Sequence, residues 1–259
     1  MPIATSPDGT TIHYEVGGVG DPVILVHGIT ESGRSWDPVT ARLADRYRVI
    51  VPDLRGHGAS DKGPSYDLGS MAGDVASVAM AEGISNPRLV GHSLGGAVVS
   101  ALAGGFPARS VVNVDQPLKL DEFQAQLAEV APALADPESF PMVIAGLFGQ
   151  LYGDALPDEE RARLETNRNP DQEVVLGIWT PILESPAQEV SAMVEEALAP
   201  IACPYLAIHG IDPGPGYASW LTGLVSSATV EVWDGLGHYP HLVDPDRFVA
   251  RLEEFWATD

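Results

Sequence analysis

The sequence predicts an α/β protein in which a mostly parallel, doubly wound sheet carries an inserted group of helices. Short continuous Val/Ile/Leu runs that end in Gly or Asp recur through the first half, which is typical of strands covered on both faces. Helical stretches separate these runs, and such alternation favours a parallel sheet. After residue 117 the strand patterns stop, and they resume near residue 204.

The predicted strands begin with "TIHYEV", which alternates apolar and polar residues. The remaining predicted strands are continuous apolar runs at 22–28, 47–53, 87–93, 110–115, 204–210 and 228–234. The predicted helices between and after them are 36–45, 68–82, 95–104 and an amphipathic closing helix at 244–256.

Five further helices are predicted at 121–134, 137–152, 158–166, 171–183 and 186–199. Because no strand pattern interrupts them, we expect residues 118–199 to form a helical cap insertion. The predicted core domain then consists of residues 1–117 and 200–259.

The composition limits the partners that the chain is expected to have. A length of 259 residues with 45% hydrophobic content suits one large domain, or one domain with an insertion. The net charge of −22 repels phosphate backbones and anionic lipid, so we expect no nucleic-acid or membrane partner. The pattern leaves monomer and homodimer open.

The predicted location is the cytoplasm. The first residues lack a basic cluster followed by an apolar stretch, and no apolar run approaches the length of a membrane span. The single cysteine, Cys203, excludes an internal disulfide and is consistent with a reducing compartment.

The hexapeptide "GHSLGG" at 91–96 contains G-x-S-x-G between a predicted strand and a predicted helix. A tight strand-to-helix turn holds the serine in a strained conformation and projects its hydroxyl outward. Ser93 is therefore the candidate nucleophile. The alternative is an ordinary strand-to-helix turn, since Ser and Gly are common residues.

The segment "VHGIT" ends an earlier strand, and its turn directs the N–H of Ile29 towards the serine. Together with the N–H of Leu94, it forms a candidate oxyanion hole. His27 is better interpreted as a structural histidine bonded to the backbone.

His238, in "GLGHYPH" after the last predicted strand, is the candidate general base, with His241 as a rival. His92 is interpreted as a packing residue that also lines the substrate pocket. The chain contains neither an H-E-x-x-H motif nor a cysteine cluster, and neither G-x-G-x-x-G nor a P-loop. We therefore expect no metal and no nucleotide cofactor.

These motifs together resemble the α/β-hydrolase superfamily over nearly the whole chain. The matching segments are "HGI", "DLRGHGASD", "GHSLGG" and "GLGH", in that order. The resemblance implies an α/β-hydrolase fold, Ser93 as nucleophile, His238 as base and the N–H groups of Ile29 and Leu94 as oxyanion donors. It also implies that the insertion covers the site and that the "DLRGHGASD" loop is structural. Locally, "DQPLKLDEF" resembles the corresponding segment of fungal zearalenone lactone hydrolases.

Two aspartates compete for the third position of a catalytic triad. Asp115 follows the buried run "SVVNV", where a carboxylate is costly unless something requires it. Asp212 lies after the strand that follows the insertion, near the commoner family position, but in a loop with turn chemistry. We favour Asp115, with Asp212 as the alternative.

The sequence predicts a serine hydrolase that cleaves a carboxylic ester or lactone of a neutral, hydrophobic small molecule. The candidate pocket residues are His92, Leu147, Trp179 and Tyr239. The insertion offers few cations, and those of the "DEERAR" helix are expected to face solvent. The alternatives are a hydrolase of C–C bonds in carboxylate-bearing diketones, and a non-catalytic small-molecule receptor with this fold.

Overall fold

The computed structural model describes residues 1–257 and contains one eight-stranded sheet. The strands are β1 (Ile3–Thr5), β2 (Thr11–Gly17), β3 (Asp21–Val26), β4 (Tyr47–Pro52), β5 (Arg88–His92), β6 (Ser110–Val114), β7 (Tyr205–His209) and β8 (Ala228–Val232). Their order is β1-β2-β4-β3-β5-β6-β7-β8. The pairs β1–β2 and β2–β4 are antiparallel and all others are parallel, which confirms the predicted sheet.

The helices are α1 (Asp37–Leu43), α2 (Leu68–Ala81), α3 (Leu94–Gly105), α4 (Asp121–Ala135), α5 (Phe140–Leu151), α6 (Asp158–Asn167), α7 (Gln172–Glu184), α8 (Ala187–Leu198), α9 (Tyr217–Leu224), α10 (Pro240–Val243) and α11 (Pro245–Trp256). A 3₁₀ turn, Gly33–Trp36, precedes α1. Helices α4 to α8 follow one another between β6 and β7, and we call them the insertion.

The sheet is covered on both faces because its strands are apolar on both sides. In β3, Ile24 and Val26 belong to one core cluster, whereas Val23 and Leu25 belong to the other. The first cluster continues into α2, α3 and the insertion, and the second continues into α1 and α11. The continuous Val/Ile/Leu runs therefore form buried central strands, as their pattern predicts.

Four elements differ from the sequence-based expectation. The edge strand β1, helix α9 and the single turn α10 are absent from the prediction, and α5 begins at Phe140 rather than 137. Each added element is short, and β1 has only three residues, so periodicity gives little signal for it. None of the helices within residues 1–257 has the length and apolar character that a membrane span requires.

Candidate functional site

The carboxyl ends of β3, β5 and β6 share an unusual backbone feature. Within residues 1–257, only three non-glycine residues have positive φ: Thr30 at 66°, Ser93 at 51° and Asp115 at 52°. Each follows one of these three neighbouring strands. Because L-residues adopt this region at a cost and such strain clusters at functional sites, this edge of the sheet is the candidate site.

Ser93 occupies the turn between β5 and α3. Its neighbours Gly91 and Gly95 permit the turn: a Cβ on Gly91 would lie 2.0 Å from the Gly95 carbonyl oxygen, and one on Gly95 would lie 2.2 Å from that of Val26. The Ser93 amide donates to the Val114 carbonyl at 2.9 Å, which fixes the turn against β6. The G-x-S-x-G glycines are therefore needed for close backbone packing.

The loop after β3 lies directly beside this turn. A Cβ on Gly28 would lie 3.2 Å from the Ser93 Cβ, so the next residue, Ile29, is adjacent to the serine. Leu94 is the first residue of α3, and its N–H belongs to the amides that a helix leaves without an internal acceptor. The two residues predicted to supply the oxyanion donors thus lie next to Ser93 along the chain or across the turn, and the role of their N–H groups stays a prediction.

The structure pairs Asp115 with His238. His238 Nδ1 donates to Asp115 Oδ2 at 2.6 Å, and both side chains are buried. The second oxygen, Oδ1, accepts from the amides of Gly210 at 2.7 Å and Ile211 at 3.1 Å. Burial opposes ionisation of Asp115, but the hydrogen bond and charge of His238 hold its pKa below the usual range.

Asp212, the alternative acid, is exposed, and its carboxylate accepts from the Gly214 amide at 2.9 Å within its own turn. This contact is the turn chemistry that the Asp-Pro-Gly sequence indicates. The geometry therefore favours Asp115 over Asp212.

The His238 ring is buried, and burial lowers the pKa of the imidazole below its usual value, although the Asp115 hydrogen bond opposes this shift. Since Nδ1 carries the proton donated to Asp115, the neutral ring presents Nε2 as a proton acceptor. This is the tautomer that a general base for a serine hydroxyl requires. His241, the rival base, is fully buried between Trp36 and His92.

Two of the four predicted pocket residues, His92 and Tyr239, are buried next to His238 and have no exposed surface. His92 is fully buried, and its Nε2 donates to the His238 carbonyl at 2.8 Å. Tyr239 is also fully buried, and its hydroxyl is committed to Glu31 and Arg168. Both residues hold the histidine loop, and their contact with substrate stays a prediction that this burial does not favour.

Leu147 and Trp179 lie in the insertion. Leu147 is half-buried on α5, and Trp179 on α7 packs edge-on against Phe123 with ring centroids 6.0 Å apart. Their contact with substrate stays a prediction.

The cations of the insertion are largely engaged with the protein itself. Arg161 donates to the Gly153 carbonyl at 3.0 Å, and Arg163 donates to the Arg34 and Ser35 carbonyls at 2.6 and 3.2 Å. Both are half-buried, so the expectation that this helix points its arginines into solvent is wrong. Arg163 thereby anchors the insertion to the core, whereas the Arg161 contact lies within the insertion.

Sequence reasoning missed a buried carboxylate beside the site. Glu31 follows Thr30, and its side chain is 3% exposed. The only sequence signal for it is an acidic residue two positions after the candidate oxyanion donor, in a loop that follows a buried strand. Such a signal does not distinguish a buried carboxylate from a solvated one.

The "DLRGHGASD" loop is structural, as the resemblance implies. Arg55 is buried and pairs with Asp74 through Nε at 2.6 Å and Nη2 at 2.7 Å. His27 accepts from the Leu54 amide through Nε2 at 3.0 Å and contacts the Gly28 carbonyl through Nδ1, which agrees with its interpretation as a backbone-bonded histidine. Among residues 1–257, no group of three or more His, Cys, Asp or Glu side chains is arranged to hold a metal ion.

The fold and the serine turn define an α/β hydrolase, and the family model described as "Alpha/beta hydrolase family" matches residues 23–251. The chain belongs to this family.

Known members resemble the chain over almost their full length. A non-heme haloperoxidase from Rhodococcus erythropolis is 29% identical, with 98% of this chain and 99% of the relative aligned. A 2-(acetamidomethylene)succinate hydrolase from Mesorhizobium japonicum is 28% identical over 95% of this chain and 91% of its own. The crystal structure of an esterase from a Rhodococcus species superposes with a TM-score of 0.73 at 28% identity, covering 98% of this chain and 97% of the esterase.

Proposed function

We propose that the chain is a serine hydrolase that cleaves a carboxylic ester or lactone of a neutral, fairly hydrophobic small molecule through an acyl-enzyme. One observation carries this proposal: the 2.6 Å contact of Asp115 with His238, beside a strained Ser93 at the start of α3. The 28% identity to a structurally similar esterase supports it.

In the proposed mechanism, the Ser93 oxygen attacks the carbonyl carbon while His238 Nε2 takes the hydroxyl proton. Asp115 stabilises the resulting imidazolium through Nδ1. The N–H groups of Ile29 and Leu94 donate to the oxyanion of the tetrahedral intermediate. His238 then protonates the leaving alkoxide, and water repeats the sequence on the acyl-enzyme. In a lactone, the first step opens the ring and the alcohol stays attached to the acyl group throughout, so the second step releases a single hydroxy acid.

The proposed preference for neutral substrates rests on the commitments of the insertion's cations. Arg161 and Arg163 bind backbone carbonyls, and Arg168 binds Tyr239. A substrate carboxylate would have to displace these contacts, whereas an apolar group would not. The same reasoning disfavours C–C hydrolysis of carboxylate-bearing diketones.

The test compares wild type with Ser93→Ala on p-nitrophenyl esters and lactones of graded size. We expect turnover by wild type and loss of several orders of magnitude in kcat for the variant, with an unchanged circular dichroism spectrum. A fluorophosphonate should label Ser93 and no other serine. Equal turnover by both proteins would refute the proposed nucleophile, and the absence of turnover by wild type would favour a non-catalytic receptor.

The substrate class is tested by a matched pair of esters. Neutral esters should have a higher kcat/KM than dicarboxylate esters of equal size. The opposite preference would show that the insertion supplies an anion site.

A further inference from the structure

A second buried carboxylate lies behind the Asp115–His238 pair. Glu31 Oε1 accepts from the Tyr239 hydroxyl at 2.9 Å, and Oε2 accepts from the Gly28 amide at 3.3 Å. Arg168 Nη2 lies 3.8 Å from Oε1, and His92 Nδ1 lies 3.7 Å from Oε2. Burying an ionised carboxylate costs roughly several kcal/mol unless its partners compensate. A buried glutamate with these four partners is therefore a candidate for a function in the site.

His92 connects this carboxylate to the proposed base. Its Nε2 lies 2.8 Å from the His238 carbonyl, which can only accept, so Nε2 carries a proton. Its Nδ1 faces Glu31 and has no hydrogen-bond partner among residues 1–257. A Cβ on Gly28 would lie 3.2 Å from Glu31 Oε1, from His92 Nδ1 and from the Ser93 Cβ. Glu31 and His92 therefore converge on the same point as the nucleophile.

The backbone of His238 is held at both of its polar groups. Its amide donates to the Leu151 carbonyl at the end of α5 at 3.0 Å, and its carbonyl accepts from His92. The next residue, Tyr239, donates to Glu31 and accepts from Arg168 Nη2 at 2.7 Å. Since Leu151 and Arg168 belong to the insertion's region of the chain, the loop of the proposed base is clamped between core and insertion.

Neighbouring side chains also act electrostatically on Glu31 and, through it, on His238. Burial alone would raise the pKa of the Glu31 carboxyl, but His92, Arg168 and His27 hold it well below its usual value. These neighbours therefore favour the ionised form of Glu31. Its negative charge opposes the lowering of the His238 pKa that burial causes, in the same sense as Asp115, whereas His92 acts in the opposite sense.

We propose that Glu31 is a positioning residue for His238, acting through His92 and Tyr239, and that it ties the proposed base to Arg168 of the insertion. This inference rests on the serine-hydrolase function proposed above. Its physical content is that one buried carboxylate fixes the backbone of the base and favours the imidazolium that forms in the transition state.

The test is Glu31→Gln, which keeps the side-chain volume and an acceptor for Tyr239 but removes the charge. Rates are normalised to the fraction of protein labelled by a fluorophosphonate, so that misfolded protein does not count. The matched control is Glu165→Gln, since Glu165 is exposed and lines the outer cavity of about 230 Å³ that Arg168 also lines. A second variant, Tyr239→Phe, removes the hydroxyl that bonds to Glu31 and Arg168 and keeps the charges of both of those side chains.

We expect kcat of Glu31→Gln to fall on the order of 10- to 100-fold, as for a small misplacement of a reacting group, with KM within about twofold. The acid limb of its kcat/KM profile should move to lower pH, because loss of the negative charge disfavours the His238 imidazolium. Glu165→Gln should match wild type. A merely structural Glu31 would leave the pH profile of the labelled fraction unchanged.

A kcat of Glu31→Gln within about twofold of wild type, or an unmoved acid limb, overturns the proposal. If Glu31→Gln does not fold, Tyr239→Phe decides: a fall in kcat of about fivefold or more supports the proposal, and wild-type kcat overturns it. These outcomes are separate from the serine-hydrolase test. If Ser93→Ala is inactive and wild type is active, the function stands whatever Glu31→Gln does.

Discussion

Replacing Asp115 with asparagine tests the proposed mechanism most directly. The carboxylate accepts three hydrogen bonds, from His238 Nδ1 and from the amides of Gly210 and Ile211. An asparagine keeps one oxygen, and the two amides require it because they can only donate. The new NH₂ group then points at His238 Nδ1.

The magnitude follows from the tautomer that this NH₂ group selects. A donor opposite Nδ1 stabilises the ring with its proton on Nε2, which cannot accept the Ser93 proton. It also removes the negative charge that stabilises the imidazolium. For the equivalent change in a Ser-His-Asp triad, kcat falls on the order of 10⁴-fold with the geometry intact, and we expect a loss of that order here.

The assay is kcat on a p-nitrophenyl ester, normalised to the folded fraction measured by circular dichroism, with Asp212→Asn as the matched control. Asp212 is exposed, and an asparagine there keeps the acceptor for the Gly214 amide. We expect its kcat within about twofold of wild type. A larger loss for Asp212→Asn than for Asp115→Asn would refute the assignment and transfer the role to Asp212.

Three further predictions follow from the buried groups. Because burial lowers the His238 pKa, the acid limb of the kcat/KM profile should have an apparent pKa below about 6.5, and kcat/KM should then stay level towards neutrality. An apparent pKa above about 6.5 would contradict the burial of this ring. His57 and His209 have pKa values lowered to about 4 by burial, so the unfolded chain binds more protons between pH 6.5 and 4. The free energy of unfolding, from urea titration, should therefore fall by roughly 1 kcal/mol per histidine for each pH unit below 6.5, and a flat profile would refute this. Gly95→Ala should destabilise the protein by about 1–3 kcal/mol or more, because the new Cβ would meet the Val26 carbonyl. The control is Gly105→Ala in the same helix, whose Cβ would meet nothing within 4 Å and which should be neutral. Equal melting temperatures of the two variants would contradict the close packing at Gly95.

The central strands of the sheet and most helices could be predicted because their signals are local and repeated. Buried parallel strands are continuous apolar runs, and G-x-S-x-G has meaning only between a strand and a helix. Asp115 could be preferred for a similarly local reason, because a carboxylate at the end of a buried strand is costly unless it has a partner. The structure places that carboxylate 2.6 Å from His238 Nδ1, although 123 positions separate the two residues.

The surroundings of His238 could not be predicted, because the relevant contacts join distant segments. Nothing local to Glu31 shows that it faces a tyrosine 208 positions away. Tyr239 and His92 adjoin the catalytic candidates in sequence, which suggested that they line the pocket. Adjacent residues of a tight turn point in different directions, and here these two point into the protein.

Two of the three strained residues of the site, Ser93 and Asp115, are held by the sheet itself. The Ser93 amide donates to the Val114 carbonyl of β6 at 2.9 Å, and the Asp115 amide donates to the Ile208 carbonyl of β7 at 2.8 Å. The hydrogen bonds of each parallel strand pair thus continue to the first residue after the strand, which is the residue with positive φ. Such a backbone conformation costs about 1–3 kcal/mol per residue and persists only where its surroundings fix it. Because these contacts are made by backbone groups, the positions of the proposed nucleophile and acid depend on strand register more than on the identity of the side chains at Val114 and Ile208. Conservative apolar changes at these two positions should consequently affect stability before they affect the geometry of the site.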